Sequence, residues 1–499
     1  MARGSRRRLP SFGLLLTSLA LIALALLVGM VVAIGSPQLT LMVVGLIVLV
    51  PFVTLVGTKH LLPLMFIYVL LVQGLANSAF RFRSAVWMGS GFAFLFLCRT
   101  LLELSDPRTR RGAQPRTAVG AGTVCLCAVM YLAFFFFSLA ISHGSMSQII
   151  SAIRFALPMF GILLAMYCFD FGEKRMRALW ILLLVVVVAQ VPVVMYQHFF
   201  TMSLDGWDSV VGTFGYGMSP VLVIFAVAGI TYGLACWSRG VISGWWMLVV
   251  LLAGLADMLL GEVKAMLFWM PMAICLIMRK RILKNFFAFV GYGVVIVVLL
   301  IATVFAYKAM YWGDEGTPGG SLEEKISKRG GYFFNPYEIN QKTGEVSRIA
   351  SLYIWYRDPV PTMLERLIGY GPGASATSDG TGLGKVAKRY RPLRVNSTAL
   401  SSLLWDVGIL GTLCLLSMIV AGIVTALRFV RRGTAPPWEL AMVDASMVIL
   451  AVLLTTIIYN RNLVDETTVQ LLSFFCLGTI VQLTRFKRQP EQDKAAVPA

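Results

Sequence analysis

Charged residues are scarce in this chain of 499 residues, where Asp, Glu, Lys and Arg together account for only 13%. Histidine is scarcer still, because only His60, His143 and His198 occur, far apart in the sequence. All eight cysteines fall in apolar runs. This composition is not that of a soluble domain. The positions of His and Cys also disfavour a metal centre and a disulfide framework.

Hydrophobic sequence is abundant, at 58% of the residues. It recurs in runs of about 20 residues, the length that a helix needs to cross a bilayer. Backbone amides in lipid must be hydrogen-bonded within their own segment, so such runs form helices. The sequence therefore predicts an all-α, polytopic membrane protein with about 14 transmembrane helices, the alternative counts being 12 or 13. The predicted spans are residues 12–34, 39–56, 61–75, 85–98, 118–141, 149–169, 179–196, 218–237, 245–260, 265–278, 286–306, 399–427, 440–459 and 469–483.

The positive charge, +19 in total, is concentrated in short loops between these runs. Cytoplasmic loops retain Lys and Arg during insertion, so the pattern favours cytoplasmic N- and C-termini over a nucleic-acid site. The chain then divides into an N-terminal bundle of about eleven helices, a large extracytoplasmic loop domain, C-terminal helices and a disordered cytoplasmic tail. These parts comprise residues 1–306, 307–397, 398–484 and 485–499.

Polar groups near the outer ends of the spans are the candidate functional residues. Arg154 either snorkels to the interface or faces a cavity and receives an anion. Glu262 and Lys264 form either a turn in water or part of the same cavity. Arg348 begins a predicted helix, where backbone amides also favour anions. Such groups together suit a lipid-linked phosphate, because fixed Arg and Lys can stabilise a departing diphosphate without a metal.

Four short pieces of sequence occur in order between residues 210 and 411. They are Val211-Gly212-Thr213-Phe214-Gly215; Gly261-Glu262-Val263-Lys264-Ala265; Arg348 with Tyr353-Ile354-Trp355 and Gly369-Tyr370-Gly371-Pro372-Gly373; and Asn396 with Trp405-Asp406-Val407-Gly408. In this series the chain resembles the O-antigen ligase and O-antigen polymerase family of bacterial membrane glycosyltransferases.

The resemblance implies transfer of a glycan from an undecaprenyl-diphosphate-linked oligosaccharide to an acceptor hydroxyl, with inversion and without a metal or other cofactor. By match, Arg348 corresponds to the family's outer-loop arginine, and Lys264 stands where the family usually has arginine. Both are predicted catalytic residues. The predicted substrate-binding residues are Arg154, Arg394, Asn396 and Glu262.

Ligase members commonly carry histidine directly before the asparagine that matches Asn396, whereas this chain has Val395. The general base is therefore unassigned, and a polymerase of surface or exopolysaccharide repeat units is favoured. The alternatives are a ligase that transfers glycan to lipid A-core and a transporter or flippase of lipid-linked glycan. The expected location is the bacterial inner membrane. The expected partners are membrane lipid, the lipid-linked oligosaccharide, a chain-length regulator and a flippase, with no nucleic acid.

Overall fold

The computed structural model describes residues 55–80, 84–105, 119–142, 144–201, 210–215, 219–261, 263–311, 335–340, 343–378 and 382–485, with a few isolated positions. Nearly all of the predicted span 12–34, most of the predicted span 39–56, and the C-terminal tail from residue 486 lie outside the described residues. So does Glu262.

The described chain is almost entirely helical. The first half contains α1 (Thr58–Ile67), α2 (Gln73–Phe80), α3 (Ser84–Ser105), α4 (Val119–Ile141), α5 (Met146–Ala156), α6 (Phe160–Cys168), α7 (Gly172–Tyr196), α8 (Ser219–Ser238), α9 (Gly244–Leu260), α10 (Met266–Ile282) and α11 (Phe286–Tyr311). The second half contains β1 (Ile339–Asn340), β2 (Glu345–Val346), α12 (Arg348–Arg357), α13 (Met363–Ile368), β3 (Thr377–Ser378), β4 (Gly382–Leu383), α14 (Lys385–Arg389), α15 (Ala399–Asp406), α16 (Gly408–Arg432), α17 (Pro437–Thr456), α18 (Asn462–Asp465) and α19 (Thr467–Arg485).

Within the described ranges, nine helical segments are long and apolar enough to cross a membrane. The chain is therefore an all-α membrane protein, as the apolar runs predict. The number of crossings and the side on which each loop lies remain predictions. The nine segments are Thr58–Asn77, Trp87–Ser105, Gly120–Ile141, Gly172–Phe200, Ser219–Ser238, Phe286–Ala306, Gly408–Arg432, Pro437–Thr456 and Thr467–Arg485.

Helices α8, α17 and α19 form the centre of the bundle. In each of them more than four-fifths of the residues are buried, against only 6% in α11. Large rings fill the space around α19, where the ring centroids of Phe475 and Phe66 are 4.8 Å apart. At Gly478 a Cβ would lie 2.4 Å from the Met166 sulphur of α6. Small residues of this kind let membrane helices approach closely, which supplies the van der Waals contact that holds them together.

Two predicted spans are not continuous helices, and the prediction is wrong at both places. Span 149–169 is broken at Leu157-Pro158-Met159, between α5 and α6. Proline lacks a backbone N–H, and its ring clashes with the carbonyl one turn back, so a helix ends there. Span 399–427 is broken between α15 and α16, where Gly408 has a φ of +67°. Left-handed φ values interrupt a right-handed helix and favour glycine.

A short segment, residues 210–215, contains only a single 3₁₀ turn (Gly212–Phe214) and is buried among α2, α7, α8 and the π-helical turn Tyr68–Val72. Its backbone amides are hydrogen-bonded by glutamine side chains of the bundle. The Gln197 Oε1 accepts from the amides of Val211 and Gly212 at 2.9 and 2.7 Å, and the Gln190 Oε1 accepts from the Thr213 amide at 2.8 Å. Irregular backbone at membrane depth requires such partners. The glutamines thus give this segment a structural role.

Between α11 and α16 the chain forms a polar layer, which we define as residues 335–340, 343–378 and 382–407. It contains two antiparallel pairs, β1–β2 and β3–β4, and helices α12 to α15. A small apolar core holds it together, formed by Tyr370, Ala374, Val386, Val395 and Trp405. The backbone amide of Tyr370 also donates to the Trp405 carbonyl at 2.8 Å. The predicted extracytoplasmic placement of this layer remains a prediction.

Candidate functional site

A cavity of about 330 Å³ lies where the polar layer meets the helical bundle. This volume is at the lower end of the range for small-molecule sites, roughly 300–1,000 Å³. Its apolar wall includes the rings of Tyr131, Phe135, Phe160 and Phe474, from α4, α6 and α19. Its polar wall includes Ser151, Ser375, Asn396, Ser402, Asp406, Arg461, Asp465 and Gln470.

Asp406, the last residue of α15, presents a carboxylate to this cavity. The Gly373 amide donates to its Oδ2 at 3.0 Å, and the Ser375 amide donates to its Oδ1 at 2.8 Å. Burial raises the pKa of Asp406 to about 7, although the hydrogen bonds from Ser375 and Gly373 act in the opposite direction. The nearby charge of Asp465 also raises this pKa. The cavity therefore contains a carboxyl group that titrates near neutral pH.

The connection between α17 and α19, residues 457–466, carries three charged side chains beside the cavity; we refer to it as the link. The Arg461 Nε lies 2.7 Å from the Asp465 Oδ2. Burial raises the pKa of Asp465, while Arg461 and Arg154 oppose the change. Burial and the charge of Asp465 raise the pKa of Glu466 to about 8. Glu466 is thus mainly protonated at neutral pH, so it cancels little of the positive charge of Arg461.

Arg154 lies on α5, next to the cavity residues Ser151 and Ala152. Its guanidinium carbon is 3.8 Å from the centre of the Trp87 ring. Burial lowers the pKa of Arg154 to about 10, and attraction to Glu466 and Asp465 opposes this change. Arg154 therefore remains a cation at neutral pH and interacts with the charges of the link.

Arg348 and Lys264, the two predicted catalytic residues, do not line the cavity. The Arg348 Nε donates to the Tyr459 carbonyl of the link at 2.9 Å. The Tyr459 ring meets the Trp269 ring edge-on, with centroids 5.2 Å apart. Trp269 lies on α10, and the half-buried Lys264 lies two residues before the start of α10. Arg348 is thus held against the link, and the α10 region that follows Lys264 contacts the link at the same tyrosine.

Of the predicted substrate-binding residues, Asn396 lines the cavity and is buried. Arg394 is exposed and does not line it; its backbone amide donates to the Gly344 carbonyl at 2.7 Å. Val395, the residue directly before Asn396, is fully buried in the small core of the polar layer. Glu262 lies outside the described residues.

Four charged residues of this region are not among the predicted site residues: Asp406, Arg461, Asp465 and Glu466. Asp406 falls within the predicted span 399–427, and a carboxylate in an apolar run is costly enough to indicate a function. The same rule singled out Arg154. Arg461, Asp465 and Glu466 lie within six consecutive residues between two predicted spans. This cluster of charges beside apolar runs is the feature of the sequence that points to the site.

Replacing Glu466 with glutamine should change the pH dependence of stability. The folded state holds the Glu466 proton up to about pH 8, whereas an unperturbed glutamate loses it near 4.5. The wild-type chain should therefore lose stability as the pH rises between these values, and Glu466→Gln should not show this loss. The thermal midpoint in detergent at pH 5, 7 and 9 is the measurement. The exposed Glu338→Gln is the control; an equal midpoint difference between Glu466→Gln and wild type at all three pH values would contradict the expectation.

No known protein-family model matches the chain, and no curated protein is detectably similar to it.

Proposed function

We propose that the chain is a membrane glycosyltransferase whose donor is a polyprenyl-diphosphate-linked oligosaccharide, and that it polymerises repeat units of a surface or exopolysaccharide at the bacterial inner membrane. The observation that supports this most is the cavity at the boundary between the polar layer and the apolar helices. It has aromatic walls on the bundle side, polar groups on the layer side and two arginines beside it. Such an environment suits a substrate with a lipid tail, an anionic head and a sugar.

The arginines beside the cavity can stabilise the diphosphate as it leaves. When the bond between the anomeric carbon and the diphosphate oxygen breaks, negative charge grows on the phosphate. Arg154 and Arg461 lie next to the cavity and can stabilise this charge, which is the main electrostatic requirement of the step. Arg348 is fixed to the link only through its Nε and its contact with the Tyr459 ring. Its two terminal nitrogens donate to none of the described residues, so they can bind an anion bidentately.

The structure offers one observation on the choice between polymerase and ligase. Val395 packs beside Trp405 in the core of the polar layer and does not line the cavity. This position therefore supplies no titrating group to the cavity, unlike the histidine of ligases, and the difference favours the polymerase. A deletion strain separates the two: loss of long glycan supports the polymerase, and loss of attachment to lipid A-core alone supports the ligase.

Replacing Arg348 with alanine or lysine should abolish long-chain product. Lysine keeps the charge but cannot reproduce the planar, bidentate donation of arginine. Loss of one such donor slows a reaction by about 10²- to 10³-fold. The measurement is the lengthening of the native lipid-linked repeat unit by the purified chain in liposomes without ATP.

The matched control is Arg357→Lys, an exposed arginine at the other end of α12. It should keep wild-type chain lengths. Wild-type lengths with Arg348→Ala in a normally inserted protein would contradict the role of Arg348. Movement of the lipid-linked sugar across the bilayer by the wild-type chain, without lengthening, would instead indicate a flippase.

A further inference from the structure

Two buried polar atoms in the cavity wall make no hydrogen bond to any residue that the structure describes. They are the Oδ1 of Asn396 and the Oγ of Ser402. The two side chains are only 3% and 6% exposed, and both line the cavity. Buried polar atoms in proteins almost always have partners, because an unsatisfied one carries the full cost of its desolvation. A ligand with hydroxyl groups would supply the missing partners.

The same wall carries the carboxylate of Asp406. Ser402 and Asp406 are four residues apart on α15, so they lie on the same face of that helix. Backbone amides of Gly373 and Ser375 hold one carboxylate oxygen each and thereby fix its plane. The Ser375 side chain also hydrogen-bonds to this carboxylate, which leaves one of its four lone-pair sites to accept another proton donor. This wall therefore presents an acceptor row of Asn396, Ser402 and Asp406.

Aromatic rings also line the cavity. The Tyr131 and Phe160 rings are stacked 5.6 Å apart, and the Phe160 and Phe474 centroids are 4.5 Å apart. A cavity lined by both hydrogen-bond acceptors and aromatic rings fits a sugar, which has hydroxyl groups around its rim and C–H groups on its faces. The carboxylate of Asp406 repels an anion, so the diphosphate belongs on the link side, beside Arg461 and Arg154.

We infer that this cavity is the acceptor subsite: it binds a terminal sugar residue of the glycan, and Asp406 acts as the general base. The inference rests on the proposed glycosyl transfer and adds the acceptor to it. The acceptor hydroxyl oxygen forms a bond to the anomeric carbon of the donor, and its proton passes to Asp406. The bond from that carbon to the diphosphate oxygen breaks, and the electron pair leaves with the diphosphate towards the arginines. A base is most effective when its pKa lies near the working pH, as the pKa of about 7 at Asp406 does.

The test uses the full chain in liposomes, with lipid-linked repeat unit isolated from the source cells as donor and an unlinked acceptor glycan. For the wild-type chain, kcat/KM should rise tenfold per pH unit below pH 7 and level off above it. Asp406→Asn should lower the rate by about 10²-fold or more and remove this pH dependence. Undecaprenyl diphosphate alone, used as a binding probe, should raise the thermal midpoint of both proteins equally.

Because the Asp406 carboxylate also accepts a hydrogen bond from the Gly373 amide, Asp406→Asn disturbs this loop as well as the base. Two further variants therefore test the subsite without changing Asp406. Asn396→Ala and Ser402→Ala should each raise KM for the acceptor about three- to tenfold, the value of one hydrogen bond, with little change in kcat. Ser397→Ala is the matched control, because Ser397 is next to Asn396 and does not line the cavity. It should leave KM unchanged.

The possible outcomes separate this inference from the proposed function. Wild-type pH dependence and rate in Asp406→Asn would overturn the base assignment, and an unchanged acceptor KM in both alanine variants would overturn the subsite. If the wild-type chain does not lengthen the lipid-linked repeat unit, the proposed function itself is wrong, and the inference is overturned with it.

Discussion

Asp444→Ala should destabilise the folded chain by about 3 kcal/mol, because it leaves two arginines of the bundle without their partner. The Asp444 carboxylate, on α17, is only 4% exposed. Its Oδ2 lies 2.6 Å from a terminal nitrogen of Arg239, and its Oδ1 lies 2.8 Å from one of Arg279. Arg239 directly follows α8 and Arg279 lies on α10, so one carboxylate joins three helices. Breaking a buried pair costs about 3–5 kcal/mol, and partial exposure of both arginines favours the lower value.

Thermal unfolding in detergent measures this effect, and Arg239→Ala is the internal control. That variant leaves the pair of Asp444 and Arg279 intact, so its loss of stability should be clearly smaller. A variant with Asp444, Arg239 and Arg279 all replaced by apolar residues should recover much of the loss, because no charge remains without a partner. An Asp444→Ala midpoint equal to that of wild type would show that the three helices do not depend on this contact.

Gly408→Ala should disrupt the junction between the polar layer and α16. The φ of +67° costs a non-glycine residue about 1–2 kcal/mol. A Cβ there would also lie 2.4 Å from the Gly369 nitrogen and 2.5 Å from the Leu367 carbonyl carbon. Both are backbone atoms, which cannot move aside as a flexible side chain can. Gly408 lies two residues after Asp406, so a shift of its backbone should also displace the Asp406 carboxylate. Activity should therefore fall together with stability.

Gly433→Ala is the matched control for this substitution. Gly433 ends the same helix and has a similar φ of +66°, but a Cβ there would meet nothing within 4 Å. Both variants carry the strain of a left-handed φ. The difference between their thermal midpoints therefore measures the effect of the close backbone contact at Gly408. Equal losses in the two variants would mean that the contact between Gly408 and Gly369 contributes nothing.

Hydropathy predicted the membrane class and most of the described helices because length and apolarity are local properties of the chain. It did not reveal the break before Gly408, since a left-handed φ has no hydropathic signature. Pro158 did mark the break between α5 and α6, but the run around it is apolar enough to predict a continuous span. Local patterns therefore indicated where helices form and missed two of the places where they end.

The candidate site depends on residues that are distant in sequence, and no periodicity predicts their meeting. Arg348 binds the Tyr459 carbonyl across 111 positions. The Asp406 carboxylate binds the Gly373 amide across 33 positions. A charged residue within a membrane span is costly and therefore indicates a function. This expectation pointed to Arg154, and it applied equally to Asp406. The cavity forms only where the folded polar layer packs against the link and the bundle, which the sequence alone does not indicate.

The link is carried by α17 and α19, which are 83% and 94% buried, whereas the Asn396 side of the cavity belongs to the inserted polar layer. Under the proposed function, Arg461 and the acceptor-binding side chains thus lie on different parts of the chain: Arg461 on the link between buried helices, and Asn396 and Ser402 on the polar layer. A substitution at Asn396 or Ser402 would then change the choice of acceptor sugar and leave the buried helices of the scaffold unaltered.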